Sequence, residues 1–76
     1  MITTTSFGKT LREMRLSRRI TLREFARRLG LSAAYISQVE RGEVAMPVES
    51  RIADMAQILR TDADELLAQA GRVAPD

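Results

Sequence analysis

The side chains that could do chemistry in this sequence are arginine guanidinium groups, carboxylates, and a few amides and hydroxyls. Twelve of the 76 residues are Lys or Arg and ten are Asp or Glu, while His and Cys do not occur. The chain therefore has no thiol or imidazole for nucleophilic catalysis and lacks the typical zinc ligands. It also has no glycine-rich phosphate loop and no paired carboxylates that would indicate a catalytic cleft. We expect no enzymatic activity, no metal site and no cofactor.

The densest group of carboxylates, Asp62, Asp64 and Glu65, has two interpretations. Acidic residues this close together could hold a metal ion or act as an acid and a base. They also suit the first turn of a helix, where the helix dipole favours negative charge. We favour the second interpretation because Asp62 can cap a helix and Glu65 follows it by three residues, as in a capping box.

The positive charge is concentrated in the first part of the chain. Residues 1–42 contain nine basic and three acidic residues, a net charge of +6, whereas residues 43–76 have a net charge of −4. Arginine outnumbers lysine by eleven to one, and its planar fork suits phosphate oxygens. This asymmetry indicates a face for nucleic acid, although arginines that merely solvate helix surfaces would give the same composition.

The length and hydropathy of the chain limit its class. Seventy-six residues allow one small domain, and 45% of them are hydrophobic, which argues against disorder. The sequence has no apolar run long enough to span a membrane and no start typical of a signal peptide. We expect a soluble, cytoplasmic protein that does not bind membranes, and we see no pocket for a small-molecule ligand.

The stretch 21–42 predicts two short helices joined by a tight corner. Thr21 can cap the first helix, and Glu24 can reach back to the N–H of the cap residue. Gly30 stands where a helix can end in a left-handed residue. Ser32 can cap the second helix, which is expected to end near Arg41. The residues at the spacing of buried helix faces are Phe25, Ala26, Leu29, Ile36 and Val39.

The remaining apolar residues recur at three- and four-residue spacing and predict three further helices. These are expected at about 6–18, at about 48–60, and from the Asp62 cap to Gly71. Their inward residues are Phe7, Leu11, Met14, Ile52, Met55, Ala56, Leu59, Leu66 and Leu67. We assign 1–5 to a flexible arm and 6–70 to one domain, with the helix pair at 21–41. Residues 71–76 form a tail, or begin a segment that continues in a longer native chain.

The order and spacing of these residues resemble the Cro/repressor-type (XRE-like) helix-turn-helix family. The resemblance rests on Ile20-Thr21, Glu24-Phe25-Ala26, Leu29-Gly30-Leu31-Ser32, Tyr35-Ile36-Ser37 and Val39-Glu40-Arg41-Gly42. It extends to Arg15 on one side and to Pro47, Ala56, Leu59 and Asp64-Glu65-Leu66-Leu67 on the other, covering roughly 7–70. It implies an all-α fold, namely a compact five-helix lambda-repressor-like DNA-binding domain whose third helix enters the major groove.

The resemblance also implies roles for individual residues. The residues expected to meet base edges are Ala33, Ala34, Ser37 and Gln38, of which Gln38 can pair bidentately with adenine. Those expected to contact phosphate are Arg19, Arg23, Ser32, Tyr35 and Arg41. Tyr35 has an alternative role as an aromatic ring packed over the helix pair. Arg15 and Glu40 stand where the family has a partly buried ion pair.

Two positions depart from the family pattern. Leu22 replaces the glutamine that commonly starts the second helix and binds the DNA backbone, so we assign that contact to Arg23. Arg19 stands where the family usually has glycine, and it must either adopt a left-handed conformation or end the helix differently. The loop 43–47 also differs from the family, because it is acidic and apolar where the family is often basic. This composition favours packing of the loop against the fold or a partner over phosphate binding.

Two functions fit these observations. The first is a sequence-specific regulator of transcription, a repressor, that binds double-stranded DNA as a homodimer on a pseudo-palindromic operator in a bacterial or phage nucleoid. Its dimer surface is expected on helix five or the tail. The second is a protein-interaction module with the same fold, such as an antitoxin that binds a toxin through the apolar loop 44–46.

Overall fold

A computed structural model describes residues 4–72 of the chain, which form five α-helices in sequence order. These are α1 (Thr4–Ser17), α2 (Leu22–Leu29), α3 (Ala33–Glu40), α4 (Glu49–Ile58) and α5 (Ala63–Arg72). No strand occurs among these residues. The all-α, five-helix fold expected from the sequence is therefore confirmed. α1 packs against α3 and α5, α2 against α3 and α4, and α4 against α5.

The helix ends differ from the predicted ones in several places. α1 begins at Thr4, so two residues assigned to the arm are helical, and α4 is shorter than 48–60 at both ends. α5 continues through Gly71 to Arg72, because one glycine weakens a helix by only about 1 kcal/mol relative to alanine and need not end it. The rest of the predicted arm, 1–3, and of the tail, 73–76, lies outside the described residues.

Side-chain caps start three of the helices as the sequence predicts. The Thr21 hydroxyl accepts a hydrogen bond from the Glu24 N–H at 3.1 Å, and the Ser32 hydroxyl accepts one from the Tyr35 N–H at 3.0 Å. Asp62 accepts from the Glu65 N–H at 2.7 Å, which is the capping role preferred over a metal site. The reciprocal contact predicted for Glu24 is wrong, since its carboxylate accepts from the guanidinium groups of two arginines of α2 instead.

The hydrophobic core takes side chains from all five helices. Its buried members are Phe7, Leu11, Met14, Phe25, Ala26, Ile36, Val39, Ile52, Met55, Ala56, Leu59, Leu66 and Ala70. Nearly all of them follow from the apolar periodicity. Leu29 and Leu67, expected inside, are half-buried at its edge. A core this continuous holds α2 and α3 at a fixed mutual angle, because interiors pack as tightly as organic crystals.

Gly8 allows α1 to approach the end of α3 more closely than any larger residue would. A Cβ atom at this position would lie 2.3 Å from the carbonyl oxygen of Val39 and 2.7 Å from that of Glu40. Both are backbone atoms, so neither can move aside without shifting a helix. The sequence analysis missed this residue, since a glycine inside a helical pattern gives no sign of what faces it.

We predict that Gly8→Ala lowers the free energy of unfolding by roughly 1–3 kcal/mol, the usual range for overpacking a tight contact. Urea denaturation measures this change. The control is Gly71→Ala, at an exposed glycine of α5, where alanine should not destabilise the chain because it favours the helix. Equal stability of Gly8→Ala and the original chain would contradict a close approach of α1 and α3.

Candidate nucleic-acid interface

Arg15 and Glu40 form a buried, two-point ion pair between α1 and the end of α3. The Arg15 Nε lies 2.8 Å from Glu40 Oε2, and Arg15 Nη2 donates to Glu40 Oε1 at 3.1 Å. The two side chains are only 7% and 4% exposed. The remaining arm of the guanidinium, Nη1, donates to the carbonyl oxygen of Ile20 at 2.9 Å. One side chain thus joins α1, α3 and the turn before α2.

The ion pair holds the C-terminal end of α3 in place. The face of α3 that points away from the core remains available to a ligand. Ala34 and Gln38 are exposed and Ala33 and Ser37 are half-buried, so the four residues predicted to meet base edges share one outward side of the helix. Two of them are alanines, which allow a surface to approach the helix closely. Gln38 offers an amide oxygen and an amide nitrogen, the two groups needed for a bidentate contact.

A cleft of about 420 Å³, here called the inner cleft, lies between the first halves of α2 and α3. Its lining includes Thr21, Arg23, Arg27 and Ala33. The structure therefore brings Arg23, assigned a phosphate role from the sequence, next to the start of α3. Arg27 was missed, although its position four residues after Arg23 on a predicted helix places both on one face. The N-terminus of α2 adds the partial positive charge of its dipole.

Glu24 compensates part of this charge. Its carboxylate accepts hydrogen bonds from Arg27 at 3.0 Å and from Arg28 at 2.7 Å. These two guanidinium groups lower the pKa of Glu24 to about 2 and raise the pKa of Arg27 above its usual value. Glu24 is therefore ionised at neutral pH, and it holds Arg27 and Arg28 along the surface of α2.

The other residues with predicted phosphate contacts have different surroundings. Arg19 is exposed with a φ of 57°, so of the two conformations left open for it the left-handed one is found. Ser32 and Tyr35 lie at the start of α3, where the Ser32 hydroxyl serves as the cap and Tyr35 packs against the core edge. Arg41 is exposed at the end of α3 and pairs with Glu43 at 3.2 Å.

Two kinds of site are not found in the described part of the chain. None of its helices is both long and apolar enough to cross a membrane. Its acidic residues form no group of three or more that could hold a metal ion.

Comparison with known proteins agrees with this geometry. The family model described as "Helix-turn-helix domain" matches residues 6–69. The chain belongs to this family. The match spans all of α2, α3 and α4 and most of α1 and α5. It therefore includes the buried ion pair and the inner cleft as well as the corner between α2 and α3. The resemblance to Cro/repressor-type regulators is thereby confirmed.

Relatives of this helix-turn-helix chain are named as regulators of transcription. The uncharacterised regulator RghRB of Bacillus subtilis is 36% identical over 67 residues, which cover 88% of this chain and 48% of the relative. The repressor RghR of the same organism is 35% identical over 68 residues, covering 90% and 50%. The chain thus spans about half the length of the curated relatives it matches.

The solved structure of the clp gene regulator ClgR from Corynebacterium glutamicum has the same fold. It superposes with a TM-score of 0.87 at 26% identity, covering 95% of this chain and 91% of the other. Agreement over nearly the full length of both chains indicates that all five helices, and not the corner alone, are arranged alike.

We predict that Glu40→Ala lowers the free energy of unfolding by about 3–5 kcal/mol, because it leaves the Arg15 guanidinium buried without its carboxylate. Thermal or urea denaturation measures the loss. Glu24→Ala is the control, since it removes an exposed carboxylate that also pairs with arginine, and its effect should be far smaller. Similar losses in both variants would mean that the buried pair has no special role.

Proposed function

We propose that this chain binds specific double-stranded DNA with α3 in the major groove and regulates transcription, acting as a repressor by occupying a promoter. The observation that carries the proposal is the outward face of α3. It combines a side chain able to read bases with small residues that permit close approach, on a helix held rigidly at its far end. The relative RghR is named as a repressor, which supports repression as the effect on transcription.

Base reading is assigned to four residues of α3. Gln38 pairs with an adenine through its amide, and Ser37 bonds either a donor or an acceptor on a base edge. Ala33 and Ala34 place methyl groups against thymine methyls. Because few hydrogen-bonding groups are available, the sequence-dependent shape of DNA contributes part of the specificity.

Phosphate binding is assigned to the residues around the inner cleft. Arg23 and Arg27 lie on its walls, and the N-terminus of α2 beside them favours an anion. Ser32 and Tyr35 at the start of α3 extend these contacts, and Arg19 before α2 contacts a phosphate beyond the inner cleft. Arg41 reaches a phosphate from the other end of α3, in competition with its partner Glu43.

The active form is proposed to be a homodimer. One helix-turn-helix domain contacts too few base pairs for useful selectivity, so two copies bind half-sites about one helical turn, ~34 Å, apart. α5 is the surface assigned to dimerisation.

An interaction module is the second candidate function, and one surface favours it. A cleft of about 390 Å³ is lined by Tyr35 and by residues 44–48 of the loop before α4. Val48, one of these lining residues, is 69% exposed. A protein partner, such as a toxin bound by an antitoxin, would cover this surface.

Selection of bound sequences from a random duplex pool tests the proposed function. We predict an inverted repeat for the original chain. Gln38→Ala should relax the preference at one position in each half-site, since a bidentate base contact is worth about 1–3 kcal/mol of discrimination. Gln57→Ala, at an exposed glutamine of α4, is the matched control and should leave the consensus unchanged. Recovery of no consensus would reject sequence-specific regulation and leave the interaction module.

Glu43→Gln is predicted to increase DNA affinity by up to about fivefold, because it releases Arg41 from an exposed ion pair worth about 0.2–1 kcal/mol. Fluorescence anisotropy with the selected duplex measures the change. Glu49→Gln removes the same charge from the first turn of α4 and serves as the control for long-range electrostatics. Equal gains in both variants would show that net charge, rather than release of Arg41, sets the affinity.

A further inference from the structure

A second basic cleft lies on the other side of α2, and it is here called the outer cleft. It measures about 480 Å³ and is bounded by the turn between α1 and α2 and the turn between α4 and α5. Four of the side chains that line it are guanidinium groups, those of Arg18, Arg19, Arg28 and Arg60. None of the residues assigned to base reading lines this cleft, and of its four arginines only Arg19 has been assigned a phosphate contact.

The backbone of both turns is fixed in an unfavourable conformation. Arg19 has a φ of 57° and Arg60 a φ of 61°, the left-handed region that glycine adopts most easily. Such residues persist where the surrounding structure holds them, often at functional sites. Here Arg18 supplies one restraint, because its Nε donates to the carbonyl oxygen of Leu59 at the end of α4. The two turns are thus tied together, with Arg19 and Arg60 on the same cleft.

The positive charge of the outer cleft is only partly compensated. Among its lining residues Glu24 carries a carboxylate, and that group already accepts hydrogen bonds from Arg27 and Arg28. Arg19 and Arg60 are exposed, and their side chains make no hydrogen bond or ion pair within the described part of the chain. Two guanidinium groups therefore remain available to an anion from outside.

The outer cleft adjoins the inner cleft at the start of α2. Thr21 and Glu24 line both of them. Successive phosphates of one DNA strand advance by only about 3.4 Å along the helix axis. Because the two clefts share Thr21 and Glu24, a strand bound at the N-terminus of α2 can continue into the outer cleft.

We propose that the outer cleft binds the phosphate backbone of the DNA that flanks each half-site, with Arg19 and Arg60 as the contacting residues. This inference rests on the proposed DNA-binding function and adds to it a partner segment and Arg60, a residue not otherwise assigned. The flanking contact increases affinity without reading sequence, because phosphates are the same at every base pair.

The phosphate backbone of duplex DNA fits this cleft better than a small phosphorylated ligand does. Pockets for small molecules are mostly apolar and enclose the ligand, whereas four of the eight residues around this one are exposed arginines. Of the lining side chains, Ile20 and Ile58 are the apolar ones. Exposed arginines along an open surface suit a backbone that passes across them.

The test compares two duplexes that contain the selected operator, one ending at the half-sites and one extended by about ten base pairs on each side. The variants are Arg19→Gly and Arg60→Gly, since glycine accepts the left-handed conformation and only the charge is lost. Arg12→Gln, at an exposed arginine of α1 outside both clefts, is the control. Affinity is measured across salt concentrations, and thermal unfolding verifies that each variant is folded.

We predict tighter binding and a steeper salt dependence for the original chain on the extended duplex. Each glycine variant should reduce the slope of log affinity against log salt by about 0.9 per lost phosphate contact, on the extended duplex alone. For the control variant, the difference in affinity between the two duplexes should be the same as for the original chain.

Other results would overturn the inference in distinguishable ways. Equal affinity of the original chain for both duplexes, or equal losses of the variants on both, would reject flanking contacts while leaving the proposed function intact. Failure of the original chain to bind either duplex would reject both. A third result would assign the cleft to a free anion instead. Inorganic phosphate, added at constant ionic strength, would then raise the unfolding temperature only while Arg19 and Arg60 are present, and the two duplexes would bind equally well.

Discussion

The buried pair of Arg15 and Glu40 is the interaction on which the surface of this domain depends. A planar guanidinium makes two bonds to the carboxylate at the end of α3 and a third to the carbonyl of Ile20. Buried ion pairs often add little net stability, since desolvation offsets their attraction. Their geometry is demanding, however, and here it fixes α3 and the start of α2 relative to α1. Gly8, by letting the α1 backbone touch the same end of α3, makes that position possible.

Arginines in this chain have different roles that composition does not separate. Arg15 and Arg18 bind carbonyl oxygens or a carboxylate within the fold and are part of its framework. Arg27, Arg28 and Arg41 are held along the surface by glutamates. The net charge of +6 in residues 1–42 therefore overstates the charge offered to a ligand. The charge available to a ligand is that of the guanidinium groups that make none of these internal contacts.

Local features were predictable from the sequence, and features made by distant neighbours were not. Caps at Thr21, Ser32 and Asp62 and the core periodicity depend on residues a few positions apart, so their pattern is visible in the chain itself. The partnership of Arg15 and Glu40 required a family resemblance, because 25 residues separate them. The close contact at Gly8 and the left-handed Arg60 had no local signal, since each is imposed by a segment that the sequence does not place beside it.

α2 divides the basic surface into two clefts with different consequences for binding. The inner cleft lies beside α3, so any phosphate bound there also sets the register of the helix on the bases. The outer cleft is separated from α3 by α2 and can strengthen attachment without influencing register. Affinity and specificity then depend on different residues of one small domain. Because Arg19 and Arg60 sit on turns where the backbone would favour glycine, the proposed binding of an anion explains their presence better than the folding of those turns does.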